Sequence, residues 1–114
     1  MEIPKDIRAF MDEVVDSFAM WDLLIFISKW EDDMDTPARM AQLLGRQMEE
    51  VLKPIHKLEK MGIVSLVKRP DGEFLCRVNS NTPFLPFLKK FGAFNGNQED
   101  RLRILSYLLQ KSIR

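Results

Sequence analysis

The sequence is poor in the residues from which catalytic and metal centres are usually built. Among 114 residues there is one cysteine and one histidine. With only Cys76 and His56, the chain offers no nucleophile–base pair and no ligand spacing of a zinc site. We therefore expect a protein that is not an enzyme and that carries no cofactor and no metal. A single cysteine also forms no internal disulfide, which favours a reducing, cytoplasmic location.

Long hydrophobic runs are also missing. The longest apolar run covers residues 23–27, whereas a membrane-spanning helix needs about 20 such residues. We therefore expect no membrane segment. A hydrophobic fraction of 46% and a charged fraction of 30% are ordinary for a folded protein. The length predicts one domain spanning residues 1–114.

Basic residues are scarce in the first part of the chain and acidic residues are scarcer than basic ones in the rest, although the net charge is zero. Residues 1–35 hold ten acidic and three basic residues, a net charge of −7. Residues 36–114 hold fourteen basic and seven acidic residues, a net charge of +7. This asymmetry permits an anionic partner but does not require one.

Helical spacing of apolar residues predicts a helical N-terminal element over residues 5–31, with a first helix running from about Asp6 into the twenties. Residues 21–30 are apolar on nearly every side, so we expect them to be buried by the domain or by a second copy of it. The acidic residues 31–35 then indicate a solvated loop, because the spacing of a calcium-binding loop is absent.

The next segment has the signals of a helix-turn-helix over residues 36–62. Thr36 and Pro37 form a strong helix start, since threonine caps free amides and proline fits the first helical position. Gly45 supplies the stop. A second helix then runs over about residues 47–61.

A β-hairpin follows over residues 63–79. Pro70, Asp71 and Gly72 suit a tight turn in which the glycine takes a left-handed conformation. Cys76 is therefore interpreted as a small core residue rather than a redox group. The positions predicted to share the buried face of the hairpin are Val64, Leu66, Phe74, Cys76 and Val78.

Two further helices are predicted within residues 82–113. The first begins after Thr82 and Pro83, and Gly96 lies in the break before the second, which covers about residues 98–112. Leucines are expected to line one side of this last helix: Leu102, Leu105, Leu108 and Leu109.

The stretch "TPARMAQLLGRQMEEVLKPIHKLEKMGIVSLVKRPDGEFLCRV" resembles the winged helix-turn-helix of bacterial transcriptional regulators of the ArsR and MarR type. Residues 40–45, "MAQLLG", match the helix before the turn, and "LEKMGIV" matches the end of the recognition helix. The resemblance implies a mainly α fold with a small β-hairpin, namely a winged helix-turn-helix with additional N- and C-terminal helices.

The same resemblance implies a homodimeric, DNA-binding transcriptional regulator, with double-stranded DNA and a second copy as partners. Its recognition helix, about residues 47–61, would enter the major groove, and its wing, about residues 64–78, would follow the backbone. The sequence identifies no small-molecule effector. The implied DNA-contacting residues are Arg39, Gln47, Glu49, Glu50, Lys53, His56, Lys57, Lys68 and Arg69. The implied dimer interface holds Trp21, Leu24, Ile25, Leu102, Leu105 and Leu109.

Alternative interpretations stay open at several of these positions. Glu49 and Glu50 are unusual at the start of a recognition helix, and they fit base contacts or a simple preference of acids for a helix N-terminus. Lys68 and Arg69 fit phosphate contacts or protection of a strand edge. A protein-interaction module without sequence-specific DNA binding is the alternative function, since the same scaffold also serves in protein complexes.

Overall fold

Six helices and three short strands lie in residues 3–111 and 113, the part of the chain that this computed structural model describes. The helices are α1 (Lys5–Val14), α2 (Phe18–Ser28), α3 (Pro37–Leu44), α4 (Met48–Lys60), α5 (Leu85–Phe94) and α6 (Gln98–Gln110). The strands are β1 (Met34–Asp35), β2 (Val64–Lys68) and β3 (Phe74–Val78). The chain divides into two compact units, Met1–Lys29 with Pro86–Arg114 and Trp30–Leu85. None of the described helices is both long and apolar enough to cross a membrane.

The first unit is helical and contains α1, α2, α6 and nearly all of α5. Aromatic rings pack together in this unit: the ring centroid of Phe10 in α1 lies 5.8 Å from that of Phe91 in α5. Burial of each such side chain stabilises the fold by about 1.5–3 kcal/mol. The fully buried side chains of this unit include Met11, Val14, Met20, Leu23, Leu24, Leu88, Phe91, Ile104 and Leu108.

The apolar spacing predicts a single long N-terminal helix, and this prediction is wrong. α1 ends at Val14, Val15 has an extended backbone, and α2 begins at Phe18. Ser17 causes the restart, because its side-chain oxygen accepts a hydrogen bond from the Met20 N–H at 3.0 Å. The apolar spacing continues across this break, so periodicity alone does not reveal it.

The leucines predicted to line one side of α6 are divided between a buried and an exposed side. Ile104 and Leu108 are fully buried, whereas Leu102 and Leu109 are each 57% exposed. The apolar residues cover much more than one face of this helix, and successive residues turn by about 100°. Leu102 lies about 200° from Ile104 around the helix axis, so both cannot face the core.

The second unit contains the predicted helix-turn-helix. The Thr36 side chain accepts a hydrogen bond from the Arg39 N–H at 3.2 Å, and Pro37 opens α3. Gly45 ends α3 in the left-handed conformation, with φ of 66°. α4 then runs without interruption through Pro54, which is buried. These observations confirm the predicted start, stop and order of the two helices.

The hairpin also forms as predicted. Lys68 on β2 pairs with Phe74 on β3, and the Gly72 N–H donates to the Arg69 carbonyl at 3.0 Å. Gly72 has φ of 91°, the positive value that the turn requires. The turn residues Pro70 and Asp71 therefore set the hairpin register.

Two details of the sheet correct the sequence-based expectations. The segment predicted as a solvated loop contributes strand β1, in which Met34 pairs with Arg77 and Asp35 with Cys76, giving the strand order β1-β3-β2. Phe74, predicted to be buried, is 44% exposed. It lies on the same face as Cys76 but in the last pair before the turn, beyond the part of the hairpin that the core covers.

Candidate nucleic-acid interface

Helix α4 has a buried side and an opposite, solvent-facing side. Val51, Ile55 and Leu58 are buried, at the spacing of one helix face. The opposite side is defined here as the outward face of α4, and it lines a surface depression. Its residues are Glu49, Leu52, Lys53, His56, Lys57 and Lys60. Three lysines and one histidine therefore lie on the side that the core leaves free.

Lys60 was absent from the candidates that the resemblance implied. It is exposed and follows His56 by four residues, so it extends the same face by one turn. Helical spacing from Lys53 and His56 would have been sufficient to find it. The outward face therefore reaches the last residue of α4.

The two adjacent glutamates at the start of α4 have different surroundings. One Glu50 oxygen accepts a hydrogen bond from the Gln47 N–H at 2.9 Å, and the other accepts one from Arg46 Nη1 at 3.0 Å. Glu50 therefore caps the helix and is part of an ion pair. Glu49 is exposed and belongs to the outward face. Of the two, only Glu49 is positioned toward an external ligand.

The two wing cations also differ from each other. Arg69 donates two hydrogen bonds to the Asp71 carboxylate, from Nε at 3.2 Å and from Nη2 at 2.7 Å. The backbone N–H of Glu73 and this guanidinium lower the pKa of Asp71, so its carboxylate stays ionised. Lys68 is exposed. The charge that Arg69 could present to a partner is thus largely offset within the turn.

Arg39, Gln47 and His56 are exposed, and two of these three candidates have local ionic partners. Arg39 Nε lies 3.0 Å from Asp35 Oδ2. His56 Nδ1 lies 3.7 Å from Glu59 Oε1, a contact that is ionic only when the histidine is protonated. Gln47 is the exposed N-cap residue of α4.

Within residues 3–111 and 113, no group of three or more His, Cys, Asp or Glu side chains is arranged to hold a metal ion.

Cys76 is a core residue, as predicted. It is buried on β3. Burial, with a smaller contribution from the charge of Glu59, raises the pKa of its thiol to about 12. Because the thiolate is the reactive form, this thiol is inert at neutral pH.

The residues implied for a dimer interface lie in the helical unit, and their exposure differs. Leu24 is fully buried, so it belongs to the core and leaves the set of interface candidates. Trp21 is half-buried and donates a hydrogen bond from Nε1 to Asn95 Oδ1 at 2.8 Å. Leu102 and Leu109 are well exposed. Ile25 and Leu105 are half-buried.

A helix-turn-helix followed by a β-hairpin wing, with further helices before and after them in the chain, defines the winged helix-turn-helix class. Solved structures share this fold. The adhesin competence repressor of Streptococcus pyogenes matches 90% of this chain and 73% of its own at 17% identity, with a TM-score of 0.57. Wild-type MarR from E. coli matches 96% of this chain and 87% of its own at 14% identity, with a TM-score of 0.56.

A MarR-family transcriptional regulator from Silicibacter pomeroyi is also similar, over 93% of this chain and 77% of its own, at 14% identity and a TM-score of 0.54. The fold is therefore that of the MarR-type winged-helix regulators, and the ArsR type is not specifically supported. At these identities the likeness concerns the fold. No family model matches the sequence, and no curated protein matches it.

Proposed function

We propose that this chain is a homodimeric, DNA-binding transcriptional regulator. In this proposal the recognition helix, about residues 47–61 and formed by α4, enters the major groove, and the wing, over about residues 64–78, lies on the backbone. Solved structures with the same fold are described as a repressor and as transcriptional regulators. The cytoplasmic location expected from the single cysteine remains part of the proposal.

The observation that carries the proposal is the charge on the outward face of α4. Lys53, Lys57 and Lys60 project from the side opposite the buried residues. The major groove admits an α-helix, whose solvent-facing side then meets base edges at its centre and phosphates at its flanks. Lysines on that side provide attraction to phosphates that does not depend on sequence.

The contribution of the wing is assigned to Lys68. Arg69 is held by Asp71 through two hydrogen bonds, and Glu73 adds a second acid at the turn. The four charged side chains at and beside the turn, at positions 68, 69, 71 and 73, therefore sum to zero. The tip of the wing is thus a weak electrostatic clamp. Lys68, on β2 before the turn, is the cation best placed to reach a phosphate.

The dimer is proposed to use the exposed side of α6. Leu102, Leu105 and Leu109 follow one another at spacings of three and four residues, and the first and last are 57% exposed. An exposed row of leucines on one helix marks an interface more often than a free surface. Two copies related by a twofold axis would present two recognition helices, as a DNA site with two half-sites requires.

The salt dependence of duplex binding tests the proposal. The wild-type chain should bind labelled duplex DNA at low salt, and log affinity should fall linearly with log salt concentration. Each neutralised phosphate contributes about −0.9 to that slope. Lys68→Ala removes one such contact in each of two copies and should flatten the slope by about 1.8.

Lys5→Ala is the matched control, because it removes the same charge from an exposed position on α1. It should leave the slope unchanged. Equal slopes for wild type and Lys68→Ala would return Lys68 to protection of the strand edge. Absence of binding to any duplex at low salt would contradict the DNA-binding function.

A protein-interaction module is the second candidate function, and the winged unit itself provides the supporting observation. Leu43, Val67 and Phe74 are all exposed there. Arg39 and Arg69 are both paired with acids. A surface with exposed apolar side chains and offset charge suits a protein partner better than a phosphate backbone. This reading predicts no duplex binding at any salt concentration.

A further inference from the structure

One carboxylate lies within the proposed DNA-binding surface. Glu49, Lys53, His56 and Lys60 follow one another at spacings of four, three and four residues, so they form one row along α4. This row lies opposite the buried residues, of which Val51 is one. Glu49 is the residue of the row closest to the helix N-terminus, the part of a recognition helix that contacts bases.

Glu49 has no internal task of the kind that occupies Glu50. The Glu50 carboxylate caps α4 and pairs with Arg46. Among the described residues, the Glu49 carboxylate has neither a hydrogen-bond partner nor an ion-pair partner. An exposed carboxylate at this point repels every phosphate nearby, so its presence weakens general attraction to DNA.

The chemistry of a carboxylate decides which base it accepts. An ionised glutamate only accepts hydrogen bonds. In the major groove cytosine presents the N4 amino donor, while guanine presents two acceptors and thymine presents one. Adenine offers an amino donor, but its N7 acceptor lies beside it and repels the second carboxylate oxygen. Cytosine is therefore the base that fits.

We propose that Glu49 selects cytosine in the major groove and lowers affinity for other sequences, an inference that rests on the DNA-binding function proposed above. Selectivity then arises from both an attractive contact with cytosine and a repulsive one with the acceptor edges of other bases. Lys53 and Lys60 in the same row supply attraction to any duplex.

Selection of bound duplexes from a random-sequence pool at low salt tests this assignment, with wild type, Glu49→Ala, Glu49→Gln and Glu50→Gln compared. The wild type should enrich a cytosine at one position of each half-site. Glu49→Ala should lose that preference, with discrimination falling about tenfold. It should also bind an arbitrary duplex more tightly, because a repulsive charge is gone.

Glu49→Gln should shift the preference at the same position to adenine, since a glutamine amide pairs with the adenine N6 and N7 atoms. Glu50→Gln is the matched control. It makes the same charge change one residue away, keeps an oxygen to accept the Gln47 N–H, and should retain cytosine. Thermal melting of each variant verifies the fold, which the exposed position of Glu49 predicts to be unchanged.

Each other outcome has a definite meaning. The role of Glu49 would be overturned if the cytosine preference survived in Glu49→Ala. It would also be overturned if the preference that Glu49→Ala loses were for a base other than cytosine. DNA binding itself would stand in both cases. Wild-type binding without any base preference would overturn it as well. Failure of the wild type to retain any duplex would refute the DNA-binding function itself.

Discussion

Replacement of Gly92 by alanine should destabilise the helical unit, although alanine is the better helix former. An ideal Cβ at Gly92 would lie 2.0 Å from Ser28 Oγ and 2.5 Å from Ser28 Cβ. The hydroxyl could rotate away, but the Ser28 Cβ is fixed to the backbone of α2. Ser28 is buried and donates a hydrogen bond to the Ile25 carbonyl at 2.7 Å. α2 and α5 must therefore separate to admit the methyl group.

Two opposing free-energy contributions decide the size of the effect. Alanine in place of glycine inside a helix stabilises by about 0.5–1 kcal/mol. Forcing an extra carbon into a packed contact costs about 1–3 kcal/mol, and more where the backbone must move. The overlap with Ser28 Cβ requires such movement, so the packing cost exceeds the helix gain. We expect a net loss of about 1–2 kcal/mol, or a melting temperature lower by several degrees.

Thermal and denaturant melting of Gly92→Ala, Ser28→Gly and the double variant measures this contact as a double-mutant cycle. Ser28→Gly removes both clashing atoms, so the double variant should be more stable than the two single effects predict, by about 1–3 kcal/mol. Ala93→Gly at the exposed neighbouring position calibrates the helix preference in α5. A Gly92→Ala variant that is as stable as wild type would refute this close approach of α2 and α5.

Three further changes test other parts of the molecule. Asp12→Asn should lower the melting temperature at neutral pH, because hydrogen bonds from Lys111 and Tyr107 lower the pKa of Asp12 in the folded protein. The stability that these bonds add is present above the unfolded-state pKa of 3.8, and it is lost as the pH falls through the lower folded-state pKa. Melting across pH should therefore show the difference from wild type disappearing in acid. Gly72→Val should melt lower than Gly72→Asn, since φ of 91° strains a β-branched residue. Leu102→Ser with Leu109→Ser should convert a sedimenting dimer to monomer without unfolding it, and a wild-type monomer at micromolar concentration would contradict the dimer.

Much of the winged unit was predictable because its boundaries depend on local chemistry. Thr36 and Pro37 define the start of α3, and Gly45 defines its end by taking a conformation that other residues avoid. Gly72 does the same in the hairpin. Each of these residues determines the backbone conformation only of its near neighbours in sequence, so its effect can be predicted without knowing the tertiary contacts.

The missed features depend on contacts between distant parts of the chain or on competition between local signals. β1 consists of two residues, and Met34 is a strand residue only because it pairs with Arg77. The Ser17 cap interrupts a spacing that otherwise continues through it. On α6 the leucines exceed what one face can hold, so packing alone decides that Ile104 is buried and Leu102 is not.

The effective charge of the candidate site also depends on contacts that the sequence does not reveal. A count of residues treats Arg39, Arg69, Lys53 and Lys68 as equivalent cations, but the two arginines are paired with aspartates within the chain. A phosphate that approaches a paired guanidinium also meets the negative charge of the aspartate beside it, so the net attraction at that point is small. The positive potential that a duplex would meet is therefore concentrated on lysines of α4 and on Lys68. Because the pairs are exposed and worth little individually, high salt should loosen them together with the phosphate contacts, and the lysine variants rather than the arginine variants should dominate the measured salt slope.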